Sequence, residues 1–158
     1  MKKKRVFCRF LLFLAFSAAV LVAARPCRAT LGGAADSIES DMAALSAARG
    51  GTIVGSLYTI EEIDYGGTAV REYVSPAGIV FAVAWTGIRH PDLKALLGAY
   101  AGPYQEALRN APRQPGVRHL SLKANGAVIE KWGHVRALQG RAYAPDLIPA
   151  GVTLDEIK

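Results

Sequence analysis

Asn125-Gly126 stands between two segments of alternating character, residues 117–124 and 127–138. Both residues tolerate the positive φ angles of a two-residue type I′ turn, so this dipeptide is the strongest short-range sign of an antiparallel hairpin. A two-residue turn also sets the register. Ala124 then opposes Ala127, Leu122 opposes Ile129, and Ser121 opposes Glu130. Leu120 faces Lys131, and His119 faces Trp132. Side chains alternate along a strand, so one face carries Leu120, Leu122, Ile129, Gly133 and Val135, the expected core face. The other carries His119, Ser121, Lys123, Glu130, Trp132 and His134.

The segments before this hairpin extend the sheet. Residues 52–63 are rich in Ile, Val, Tyr and Thr, and Asp64-Tyr65-Gly66-Gly67 reads as a turn. In 68–74, Val70 and Val74 share one face, and Arg71 and Tyr73 share the other. Residues 79–85 are apolar on both faces, as expected of a central strand. Two helices are expected. Asp36 reads as the N-cap of the first, whose stripe is Ile38, Met42 and Leu45 and whose end is Gly50-Gly51. Asp92 begins the second, with Leu93, Leu96, Leu97, Tyr100 and Tyr104 on one face and Gly102-Pro103 splitting it. Pro145 and Pro149 mark 139–158 as a wrapping loop. The expected fold is a single α+β domain over 30–158: an antiparallel sheet of about five strands with two helices packed on one face.

The start of the chain reads as a processing signal. Lys2, Lys3, Lys4, Arg5 and Arg9 precede an uncharged run over 10–24, and Ala29 offers a small residue before a cleavage site at Ala29/Thr30. Cleavage after Ala24 is the alternative. As a helix the run spans about 23 Å, short of the ~30 Å hydrocarbon core, so residues 1–29 are expected to be cleaved rather than kept as a membrane span. Export then changes the charge. The whole chain carries +6, but seven of its 19 basic residues lie within 1–29, where there is no acid. Twelve basic residues remain against 13 acidic ones. Both cysteines, Cys8 and Cys27, leave as well. The mature chain therefore holds no disulfide and no thiol nucleophile, and its near-neutral balance argues against nucleic acid.

Leu31-Gly32-Gly33, 70–74, Pro76, Gly78, 80–85, Pro91-Asp92-Leu93, Leu96-Leu97-Gly98, Tyr100, Tyr104 and Gly140-Arg141-Ala142 together resemble a family of small exported proteobacterial proteins. That family is catalogued as a domain of unknown function, DUF2844. The resemblance implies export from a Gram-negative cell to the periplasm or beyond. It implies no activity, cofactor or catalytic residue.

Three constellations are candidates for function. Arg71 and Tyr73, with Trp85 nearby, are types enriched at binding hot spots; the competing reading buries Tyr73 and Trp85 and pairs Arg71 with an acid. His119, Glu130 and His134 share a hairpin face and are a conceivable metal ligand set, against a plain solvated face. Ser75, His90 and Asp92 could be named as a triad, but no Gly-x-Ser-x-Gly elbow supports it. No cofactor motif is present. The expectation is an exported, non-enzymatic binding or envelope-associated module with a protein or envelope partner. The alternative is a small periplasmic enzyme or metal-dependent factor using His119, Glu130 and His134.

Overall fold

The computed structural model describes residues 31–112, 116 and 118–158. The expected signal and its Ala29/Thr30 cleavage site lie outside the described residues. The elements are α1 (Ile38–Leu45), β1 (Ala48–Val54), β2 (Thr59–Asp64), β3 (Thr68–Val74), β4 (Val80–Gly87), α2 (Leu93–Leu97), α3 (Ala101–Asn110), β5 (His119–Ala124), β6 (Ala127–His134) and β7 (Ala137–Tyr143). All seven strands form one antiparallel sheet in the order β1-β2-β3-β4-β7-β6-β5. Two meanders are joined by the helical crossover α2–α3.

The expected α+β fold with about five strands and two helices is therefore corrected: the described residues are mostly β, with seven strands and three short α-helices. Two hairpins were hidden. Gly55 N–H donates to the Tyr58 carbonyl, so residues 52–63 turn back on themselves and supply parts of both β1 and β2. The segment 127–138 also reverses, between His134 and Ala137. Its turn is Val135-Arg136, with Arg136 at φ 66°, and it lacks the Gly or Asn that announces such turns. The new strand β7 lies between β4 and β6 and runs from the end of that segment into what read as a wrapping loop.

The Asn125-Gly126 hairpin forms as expected. The two φ angles are 47° and 86°, and the pairing runs from Ala124 opposite Ala127 to His119 opposite Trp132. The apolar strand β4 takes the central position. Ile38 and Leu45 of α1 are buried. Asp36, however, lies within a 3-10 turn (Ala35–Ser37) whose N-cap is Ala34. The helix stops at Leu45, and Gly50-Gly51 sit in β1, where the register slips between Arg49 and Thr52. Asp92 does cap α2, accepting from Lys94 N–H at 2.9 Å. The helical stretch breaks at Gly98 (φ 48°), not at Pro103. Pro103 falls in the first turn of α3, where its missing N–H has no helical partner to lose.

The middle of the sheet is covered on both faces. On the helix face, Ile63, Val70, Val83, Trp85, Ile129 and Ala142 pack with residues of α1, α2 and α3. On the other, Tyr73, Ala82, Ala84, Val128 and Tyr143 pack beneath Ile148, Val152 and Ile157 of the tail that follows β7. A bulge assigns one residue against simple alternation. Tyr73 pairs with Ala82 and Val74 with Val80, so Phe81 has no opposite number and joins the tail-face cluster.

Candidate functional site

The tail face is organised by three side chains that hold main-chain carbonyls. Arg71 pairs with Glu62 at 3.3 Å and donates to the Lys158 carbonyl at 3.0 Å. The Tyr73 hydroxyl contacts the carbonyls of Glu156 (3.2 Å) and Lys158 (2.9 Å) and accepts from Lys158 N–H at 3.0 Å. Arg141 donates to Glu130 at 2.7 Å and to the Leu154 carbonyl at 2.6 Å. Ile157 is fully buried among Tyr73, Phe81, Ala82, Ala84, Val128 and Tyr143. Tyr58 completes an aromatic cluster with Tyr73 and Phe81 and donates to Glu156 at 3.0 Å.

The titratable groups reflect this packing. Burial raises Tyr73 above the usual phenol range, although the hydrogen bond to Lys158 opposes it. Tyr58 is raised by burial and by Glu156. Glu156 is lowered, chiefly by the Thr153 N–H and then by the Tyr58 hydroxyl.

Beyond the tail the same face is open. His119, Ser121, Lys123, His134 and Gln139 are exposed, and Trp132 is half-buried among them. The Trp132 indole donates to Gln139 at 2.9 Å, and the Arg141 guanidinium lies 5.8 Å from its ring centroid. Arg118 donates to His134 Nδ1 at 2.6 Å. Exposed Arg118 at His134, exposed Lys123 in β5 and exposed Arg136 in the turn that follows His134 bring basic groups to the strands that carry this aromatic centre. Hydrogen-bond donors and aromatic surface are what this region offers.

The structure separates the residues grouped from sequence. Tyr73 and Trp85 are 1% and 3% exposed. Arg71 and Tyr73 lie on the tail face, whereas Trp85 lies on the helix face and cannot share a site with them. Trp85 Nε1 donates to His90 Nδ1 at 2.8 Å instead. His119, Glu130 and His134 do share the tail face, but Glu130 is committed to Arg141 and His134 to Arg118. Among the described residues no group of three or more His, Cys, Asp or Glu is placed to hold a metal ion. Ser75 follows β3 at one end of β4, while His90 and Asp92 follow β4 at its other end. Trp132 was missed as a binding candidate because alternation alone reads its face as solvated; its neighbours came into view only with β7.

A seven-stranded sheet braced on one face by helices and on the other by its own tail defines the architectural class. The chain belongs to the family described as "Protein of unknown function (DUF2844)", whose family model matches residues 27–157. No curated protein and no solved structure matches it. Among the described residues no helix is long and apolar enough to cross a membrane.

Proposed function

We propose that the chain is an exported, non-catalytic binding module of the cell envelope, and that the open half of its tail face meets an acidic protein partner. One observation carries the binding reading: half-buried Trp132 lies on strands that, with their flanking residues, carry exposed Arg118, His119, Lys123 and Arg136. Tryptophan and arginine are the residues that dominate binding energy at interfaces. Exposed basic groups also accelerate encounter with an acidic surface. This basic character is local, because the sequence after residue 29 is slightly acidic as a whole. Export rests on the basic head, apolar run and Ala29 site of the sequence.

The test uses the processed protein immobilised against envelope extract, beside a variant carrying Arg118→Glu, Lys123→Glu and Arg136→Glu. The native protein is expected to retain an acidic partner that the correctly folded variant loses. Turnover on a broad panel of hydrolase substrates, abolished by one polar substitution, would refute the non-catalytic reading.

A further inference from the structure

The opposite, helix face carries a lysine among aromatic rings. Lys131 stands there in the middle of β6, between Leu120 of β5 and Gly140 of β7. It is half-buried, and among the described residues no carboxylate pairs with it. Its ammonium lies 5.2 Å from the Tyr104 ring centroid. Tyr104 is 5% exposed, and its buried hydroxyl has no hydrogen-bond partner. Across Gly140 lies Trp85, whose indole fills the space that a Cβ at position 140 would take.

The Trp85–His90 bond fixes a third donor. An indole N–H can only donate, so His90 Nδ1 is the acceptor and the ring's own proton sits on Nε2. His90 is half-buried, so this donor is not sealed in the core. The His90 ring stands edge-on to Trp85, with centroids 6.0 Å apart, and burial and then the Lys131 charge lower its pKa. An ammonium, a phenol hydroxyl and an imidazole N–H thus lie around the Tyr104 and Trp85 rings, which flank Gly140 and Lys131 on this face. Of these only the Tyr104 hydroxyl is fully buried without a partner; buried donors are ordinarily satisfied, so it calls for an oxygen acceptor, and the neighbouring ammonium favours an anionic one.

We propose that Lys131, Tyr104 and His90 form a binding site for a small monocarboxylate. Its oxygens accept from the Lys131 ammonium, the Tyr104 hydroxyl and His90 Nε2–H, and the Trp85 indole and Tyr104 ring wall its apolar body. One formal positive charge in a half-buried place matches a monoanion. A phosphate dianion would bring a charge with no counterpart there. The site shares no residue with the surface around Trp132, so it stands or falls independently of the proposed partner.

The test follows the Trp85 indole N–H resonance of the purified protein, identified as the one that remains in Trp132→Phe. Phenylacetate, acetate and inorganic phosphate are titrated at constant ionic strength. Phenylacetate is expected to shift the resonance saturably, with acetate weaker and phosphate silent. Lys131→Met is expected to weaken binding about tenfold or more, the loss typical of a charge-assisted contact. No saturable shift, or an equal shift in Lys131→Met, overturns the site. Phosphate bound as tightly as phenylacetate overturns the carboxylate assignment. Thermal melting of Tyr104→Phe supplies a second readout. Without anion this variant is expected to be at least as stable as the native protein, and phenylacetate is expected to stabilise it less. If it is instead less stable without anion, the hydroxyl has a structural partner and the proposal fails.

Discussion

Tyr73 and Lys158, 85 residues apart in sequence, are joined twice: the tyrosine hydroxyl donates to the Lys158 carbonyl at 2.9 Å and accepts from its N–H at 3.0 Å. The same hydroxyl lies 3.2 Å from the Glu156 carbonyl. A single oxygen on β3, beside the central strand, therefore fixes the tail that closes this face. Tyr73→Phe keeps the ring in its cluster with Tyr58 and Phe81 and removes only that oxygen. The expected cost is about 1–3 kcal/mol, because backbone groups lose their partner beneath the tail. Denaturant unfolding reads the loss, and hydrogen exchange should show it first as reduced protection at Lys158 N–H.

Arg141 links sheet and tail differently. Its side chain is 21% exposed and its partner Glu130 18%, so the pair is shielded from most solvent. It also holds the Leu154 carbonyl. Arg141→Lys retains the charge but has no planar fork to serve both partners, so it is expected to recover less than half of what Arg141→Ala loses. A double-mutant cycle with Glu130→Ala should return a coupling of about 1 kcal/mol or more.

Stability should fall at high pH. Burial raises the folded-state pKa of Tyr73 above its ordinary 10.0, and Tyr58 and Tyr143 move the same way. Their contribution is complete below pH 10 and is lost as pH rises through the folded-state values, because only the unfolded chain ionises readily there. Glu156 has the opposite sense. Its pKa is lowered from 4.5, so its hold on Thr153 and Tyr58 is complete above pH 4.5 and lost as pH falls through the lowered value. Denaturant midpoints should decline through the alkaline window and decline less in Tyr73→Phe. Tail protection should decline in the acid window.

Gly140 is required by its neighbours. A Cβ there would run into the Trp85 ring and lie 2.6 Å from the Glu130 carbonyl oxygen. Gly140→Ala is expected to cost about 1–3 kcal/mol by overpacking, seen as a lower melting temperature. The Trp85–His90 bond should be disturbed with it, so the Trp85 indole N–H resonance is expected to move.

Local chemistry was readable where a residue type carries its own geometry. Asn125-Gly126 determined a turn and a six-pair register, and Asp92 declared its helix start. Uniform apolar content placed β4 at the centre. The missing strands had no such marker: Val135-Arg136 is an atypical turn sequence, and β7 borrows its burial from β4 and β6 rather than from its own pattern. Gln139, Gly140 and Arg141 read as loop until two neighbours surround them. Sites suffered the same limit. Tyr73 and Trp85 are close in sequence terms, yet strand pairing sends them to opposite faces. Lys131 on β6 and Tyr104 on α3 are 27 residues apart, and only the packing of α3 on the sheet brings the ammonium to that ring.

The central claim is that the open face around Trp132 is a partner surface outside the cytoplasm. Site-specific photo-crosslinking in cells tests it most directly, with the crosslinker placed at exposed Ser121 on that face or at Leu108 on α3, which is 43% exposed. The account expects one discrete adduct to an acidic envelope protein from position 121 and none from position 108, with the crosslinked chain beginning at Thr30. Equal labelling from both positions, or a chain retaining residues 1–29 in the cytoplasm, would contradict it.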